Sequence, residues 1–298
     1  MTIAVTGSSG FIGSIMVERL KTLNYDIIEL DIKNGTDITN MDDLKKIKKF
    51  DVLIHLAAKT FVPDSYLNPY SFYHTNVIGT LNVLELCRIY NSKIIFTSSY
   101  IYGQPQYLPI NEDHPVCVFN PYSQTKILGE QLCSGYNKYF QLPVIIIRPF
   151  NIYGKGQNEN FIIPKIIKQA RTGKVILKDS SPKRDYIHVN DIIDAYIMAI
   201  DYQYSNLEIF NIGSGTSISV QELVSLILDE FDNTIEVNFL NIERKNEALD
   251  TVADISKAKS LLGWEPKTSL RKGLKDLMRK NIGNGSIIST PVTISQHL

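Results

Sequence analysis

The 298-residue chain carries 31 Lys and Arg against 31 Asp and Glu, with 44% hydrophobic and 21% charged residues. Zero net charge excludes the basic field that nucleic acid or an anionic membrane surface would call for, and no apolar run reaches spanning length. Three widely spaced cysteines, Cys87, Cys117 and Cys133, offer no disulfide framework or metal cluster, and with no signal-peptide pattern ahead of the first strand they point to a reduced, cytoplasmic protein.

Residues 3–5 read as a short buried strand, followed by Thr6-Gly7-Ser8-Ser9-Gly10-Phe11-Ile12-Gly13. Gly7, Gly10 and Gly13 allow a tight turn into a helix that starts near Phe11. Backbone N–H groups at such a helix start, helped by the helix dipole, suit a pyrophosphate. The spacing is G-x-x-G-x-x-G rather than the commoner G-x-G-x-x-G, so context decides its meaning. A second strand, 26–30, ends in Asp31, eighteen residues after Gly13. A carboxylate there accepts ribose hydroxyls and repels a 2′-phosphate, which favours NAD over NADP. The segment after Asp31 is too short for a crossover helix and another strand, so this edge of the sheet is trimmed.

More strand-like runs fall at 52–56, 93–97 and 144–147, with helical patterns at 13–23, 73–90 and 122–139. Such alternation predicts an α/β protein with a Rossmann-type, doubly wound parallel sheet covered on both faces. After Arg148 the texture changes: Gly154, Gly156 and a polar run precede helical patterns at 162–172, 189–202, 219–231, 255–262 and 270–279. This half reads as a smaller lobe that closes over the carboxyl ends of the strands. The expected division is 1–150 with 188–212 returning to it, then 151–187 with 213–280 as the lobe. The uncharged tail, 281–298, is expected to fray or to pack on a neighbour.

The chemistry centres on Asn120-Pro121-Tyr122-Ser123-Gln124-Thr125-Lys126. Tyr122 and Lys126 share a helix face. A lysine ammonium near a phenol lowers the phenol's pKa, and a phenol so tuned can move a proton at a substrate hydroxyl. Upstream, Ser98 sits where the strand 93–97 gives way to a loop, within reach of the same oxygen. His55 and His188 read as packed, satisfied histidines, and Arg148 as structural.

Glycine turn, strand-end serine and Tyr-x-x-x-Lys, in that order, resemble the extended short-chain dehydrogenase/reductase family, in its nucleotide-sugar epimerase, dehydratase and reductase group. The resemblance runs from Thr6 to about Leu277. It rests also on Asp37-Ile38, His55-Leu56-Ala57-Ala58, Asn76-Val77-Ile78-Gly79-Thr80, Arg148 to Gly154, Arg184-Asp185-Tyr186, Asn211-Ile212-Gly213 and Ala253-Asp254-Ile255-Ser256-Lys257. It implies Ser98, Tyr122 and Lys126 as catalytic residues. It implies that Gly7, Gly10, Phe11, Ile12, Gly13, Asp31, Asp37, Ile38, Leu56, Ala57, Ala58, Thr60, Asn76, Tyr122, Lys126 and Phe150 bind NAD. For the diphosphate of a nucleotide sugar it implies Asn151, Arg184 and Arg244, with Ser98 at the sugar, and no metal. Ser99 is a weaker candidate than Ser98. A homodimer through the helices 73–90 and 122–139 is the default for the family.

Dehydratases of this group place at least one acid in the two positions after the serine; here those are Ser99 and Tyr100. The fucose-forming branch places a cysteine where Tyr100 stands. What remains is an epimerase, acting at C4 through a 4-keto sugar, or an NAD(P)H-dependent reductase of a 4-keto-6-deoxy sugar. Asp31 favours the epimerase; the trimmed edge after it is shared with some reductases. A non-catalytic NAD-sensing protein is disfavoured by the joint presence of Ser98, Tyr122 and Lys126. The base (UDP, dTDP, CDP or GDP) and the sugar stay open.

Overall fold

The computed structural model describes residues 1–203, 207–242 and 248–282. Six parallel strands form the main sheet in the order β2-β1-β3-β4-β5-β9. These are β1 (Thr2–Thr6), β2 (Asp26–Leu30), β3 (Val52–His55), β4 (Lys93–Thr97), β5 (Val144–Pro149) and, from late in the chain, β9 (Glu208–Ile212). Their near-continuous apolar runs follow from burial on both faces. Side chains alternate between two cores, as the two-residue period of a strand requires. Ile3, Val5, Ile54, Ile95, Ile145 and Ile147 join Met16, Leu20, Ile192, Tyr196 and Trp264 on one face. Ala4, Leu53, Ile94, Phe96, Val144 and Ile146 join Val83, Leu84, Cys87 and Cys133 on the other.

The helices are α1 (Phe11–Thr22), α2 (Met41–Leu44), α3 (Val62–Leu67), α4 (Pro69–Tyr73), α5 (Gly79–Tyr90), α6 (Pro121–Phe140), α7 (Ile162–Ala170), α8 (Val189–Asp201), α9 (Val220–Leu228) and α10 (Leu270–Ile282). β2 is an edge strand, followed by a 3-10 turn and the short α2, as the trimmed interval requires. The single helix expected over 73–90 is instead α4, a π turn at His74–Ile78, and α5. The wide turn puts Asn76 inward, where its side chain bonds both the Lys59 backbone and Thr125. Asn120 caps α6 in a capping box with Ser123, and Pro121 occupies the first turn; both features fix where this helix begins.

The chain leaves the sheet after β5. β6 (Asn151–Tyr153), β8 (Lys183–His188) and β10 (Ser217–Ser219) form a three-stranded sheet, and β7 (Lys174–Leu177) pairs with β11 (Glu236–Phe239). α7, α9 and α10 pack there around Ile163, Ile166, Leu223, Ile227 and Leu274. No helix among the described residues is long and apolar enough to cross a membrane. Cys87 and Cys133 are buried thiols and Cys117 is exposed. Most of the uncharged tail, 283–298, lies outside the described residues.

Candidate active site

Because the six strands are parallel, their carboxyl ends share one side of the sheet, and the candidate residues gather there. Gly7 has φ +68°, and a Cβ on it would stand 2.8 Å from the Ala57 nitrogen. A Cβ on Gly13 would stand 2.0 Å from the Gly7 carbonyl oxygen. Only glycine permits either approach. Gly10 precedes α1 with no side-chain cap, and the first turn holds no acid. The opening amides of α1 therefore keep their donors and the positive end of the dipole for an anion. The Ser8 hydroxyl is buried in this turn without a protein partner. The Asp31 carboxylate accepts the amides of Ser9 and Lys33, both at 3.0 Å, and so pins the end of β2 to the turn. These amide donors and the Asp31 carboxylate fit a dinucleotide such as NAD.

His55 locks the floor below. Thr6 Oγ1 accepts the Leu56 and Ala57 amides at 3.1 and 3.2 Å, so its own proton goes to His55 Nδ1 at 2.7 Å. His55 Nε2 then donates to Thr80 Oγ1 at 3.0 Å, which in turn donates to the Asn76 carbonyl. Burial, with the charge of Lys126, pulls this imidazole down to about 3. It is neutral and satisfied, as its place in the sequence suggests.

The remaining cofactor candidates divide. Phe11 reaches toward Gly154 and Gly156, bridging the turn to the start of the lobe. Ile12, Leu56 and Ala57 pack partly on the cores, and Ala58 is half-buried while Thr60 is exposed. Asp37 is taken up by the amide and hydroxyl of Thr39, and Ile38 is buried against Gly79. The Asn76 side chain is buried, its oxygen accepting the Lys59 amide and its nitrogen donating to the Lys59 carbonyl and the Thr125 hydroxyl.

Tyr122, in the first turn of α6, is half-buried at the end of β4. Lys126 is buried one helical turn later; its Nζ donates to the Thr97 carbonyl at 2.8 Å and lies 5.3 Å from the Phe96 ring centroid. Burial pulls Lys126 down to about 8, and the Glu130 charge opposes this. The sequence reasoning has the ammonium lowering the Tyr122 phenol. The structure differs: burial dominates the phenol, and Lys126 gives one of its three N–H donors to the Thr97 carbonyl. Burial pushes the Tyr122 phenol up, and a hydrogen bond with the Ser99 side chain opposes that shift. Ser98 is held by its amide on the Ile147 carbonyl at 2.8 Å, and its buried hydroxyl has no protein partner. Two serine hydroxyls thus stand at this strand end.

Phe150 is buried, with the Tyr100 ring edge-on to it at 5.4 Å. Asn151 donates its side-chain amide to the Asp185 carbonyl at 3.0 Å. Arg184 Nη1 donates to the carbonyls of Lys183 and Ala248, both at 2.7 Å. Arg244 lies outside the described residues. Asp185 is turned inward from the same strand. Its carboxylate accepts the Ser214 amide and hydroxyl at 2.6 and 2.7 Å, the Gly215 amide at 3.0 Å and the Ala253 amide at 3.1 Å. Sequence reasoning missed this hub, and it missed Glu130, although Glu130 continues the four-residue spacing of Tyr122 and Lys126. No group of three or more metal-ligating side chains occurs among the described residues.

The family model for the NAD dependent epimerase/dehydratase family matches residues 3–213. A Methanocaldococcus jannaschii protein, provisionally named a UDP-glucose 4-epimerase, is 36% identical over 92% of this chain and 96% of its own length. The crystal structure of UDP-glucose 4-epimerase with UDP-glucose from Thermotoga maritima superposes with a TM-score of 0.87 at 29% identity, covering 95% of this chain and 100% of that one. The Thermus thermophilus UDP-glucose 4-epimerase complex with NAD gives 0.86 at 25% identity, covering 96% and 100%.

Proposed function

The chain belongs to the NAD dependent epimerase/dehydratase family, and from that premise we propose that it interconverts the C4 epimers of a UDP-linked sugar with NAD as its cofactor. One observation carries this reading: Tyr122, Lys126 and the Ser98–Ser99 hydroxyls meet at the same strand ends as an uncapped glycine turn and Asp31. NAD, when bound, supplies the oxidant that makes a ketone of the sugar carbinol and gives the electrons back on the opposite face. Gly7, Gly10 and Gly13 let the α1 amides reach its diphosphate, and Asp31 takes the adenosine ribose. Tyr122 accepts the proton of the 4-hydroxyl and later returns one to the ketone oxygen, while Ser98 or Ser99 donates a hydrogen bond to that oxygen. Lys126, fixed on Thr97, holds the nicotinamide ribose.

The uridine base is taken from the named relatives; Asn151 and Arg184, with Arg244, are assigned to its diphosphate, for which arginine forks suit. Neither Ser99 nor Tyr100 is the carboxylic acid that dehydratases of this group place there for water elimination. Residues 1–150 with 188–212 form the NAD-binding unit in this reading, and 151–187 with 213–280 hold the sugar nucleotide. A cytoplasmic homodimer completes it, supported by three unpaired thiols and by exposed Ile89, Tyr139 and Phe140 at the ends of α5 and α6.

The test is Tyr122→Phe, assayed for interconversion of UDP-glucose and its C4 epimer. Turnover should fall by about 10²–10⁴-fold with bound NAD retained. Wild-type turnover would remove Tyr122 from the chemistry. Steady NAD(P)H consumption on a 4-keto nucleotide sugar, with no epimer formed, would replace the epimerase by the reductase.

A further inference from the structure

α6 carries Tyr122, Lys126 and Glu130 at successive four-residue steps, so all three lie along one face. Glu130 ends this row in a buried fork with Arg148 of β5: Nε to Oε1 at 2.9 Å and Nη2 to Oε2 at 2.6 Å. The third guanidinium nitrogen, Nη1, donates to the Tyr102 hydroxyl at 2.9 Å. That hydroxyl donates onward to Asn211 Oδ1 of β9 at 2.6 Å. Asn211 is held in turn, its side-chain amide on the Ile110 carbonyl at 2.9 Å and its backbone amide on the Glu112 carboxylate at 2.7 Å.

Tyr102 ends the stretch that begins with Ser98 and Ser99. At its start, that stretch is fixed by the Ser98 amide on Ile147. At its far end, the buried Tyr102 hydroxyl supplies a second anchor, and it leads through Arg148 to the helix that carries Tyr122. We propose that Tyr102 is a positioning residue: its hydroxyl, clasped between Arg148 and Asn211, sets the Ser98–Ser99 stretch against the Tyr122 helix so that serine and phenol meet one sugar oxygen. This rests on the reading of Tyr122 as the proton-transfer group. Tyr102 touches neither substrate nor cofactor in that reading. Its effect is on distance, and a displacement of about 1 Å at reacting groups can cost about 10²-fold in rate.

The experiment uses the full chain with its NAD and UDP-glucose. Tyr102→Phe keeps the ring and removes the hydroxyl. It should lower kcat by about 10–100-fold, leave KM within about twofold, keep NAD content at the wild-type level and lower the melting temperature by only about 2–8 °C, the cost of the unpaired Arg148 and Asn211 groups. Arg148→Lys, which keeps a cation opposite Glu130 but lacks the Nη1 donor, should show the same loss confined to kcat. Wild-type kcat in whichever of the two folds with NAD bound overturns the proposal; so does a fall in kcat matched by loss of NAD or by a parallel rise in KM. Tyr122→Phe is run alongside. If it retains full turnover, the proton-transfer reading fails; if it is inactive while Tyr102→Phe is normal, the tether alone fails.

Discussion

At the glycine turn the packing is backbone against backbone, with a missing Cβ at Gly7 and Gly13 deciding the fit. At Asp185 a single buried carboxylate gathers donors from residues 214, 215 and 253. The first construction tolerates no added atom, since neither opposing main chain can step back. The second tolerates a change of shape but not the loss of its charge and acceptors. Failure should therefore be abrupt and cofactor-linked on one side, and graded and substrate-linked on the other.

Gly13→Ala attacks the backbone side. Its new methyl would overlap the Gly7 carbonyl, so stability should fall by at least about 3 kcal/mol and copurifying NAD should be lost. Chemical denaturation and the NAD content of the denatured supernatant measure both. Asp185→Ala attacks the other side. Leaving buried amides without their acceptor should cost about 2–3 kcal/mol, raise KM for the sugar nucleotide and leave NAD in place. Asp185→Asn, which keeps one acceptor oxygen, should lie between. Equal loss of NAD from the Gly13 and Asp185 variants would erase the contrast.

A smaller effect sharpens it through pH. His55 sits at about 3 in the folded protein because burial disfavours its charge. The unfolded chain takes up that proton first, near the ordinary value of about 6.5. Stability is thus fully present above about pH 6.5 and is lost as pH falls toward 3. Between about pH 7 and about pH 5 the loss from this residue is about 2 kcal/mol. His55→Gln should flatten that slope in denaturation midpoints taken across the range, and an unchanged slope would assign it to other groups.

What could be read from the sequence follows the same division. Glycine spacing, the distance to Asp31, and Tyr122 with Lys126 one turn apart are local patterns, and each expresses a backbone rule. The Asp185 hub joins positions up to 68 residues apart, and the Arg148 fork reaches back 18 residues to Glu130. No short window contains either. The direction of the Tyr122 shift depends on how the fold buries the phenol, which the four-residue spacing to Lys126 does not state. The π turn at His74–Ile78 is hidden because its buried residue, Asn76, is polar and the turn is a matter of backbone hydrogen bonding rather than of apolar spacing.

β9 gives the fold an order of assembly. The sheet's sixth strand ends at Ile212, after most of the smaller lobe's first half has already been made. Until then β5 leaves the ribosome with Ile145, Ile146 and Ile147 along an unpaired edge. Such an apolar edge is the kind on which nascent chains stick to one another. A fragment cut at residue 150 would keep every glycine of the turn and still be exposed in this way. The six-stranded sheet is therefore not a module that can be lifted out of the first half of the chain. Its last stave is delivered only after the chain has travelled through the lobe and come back.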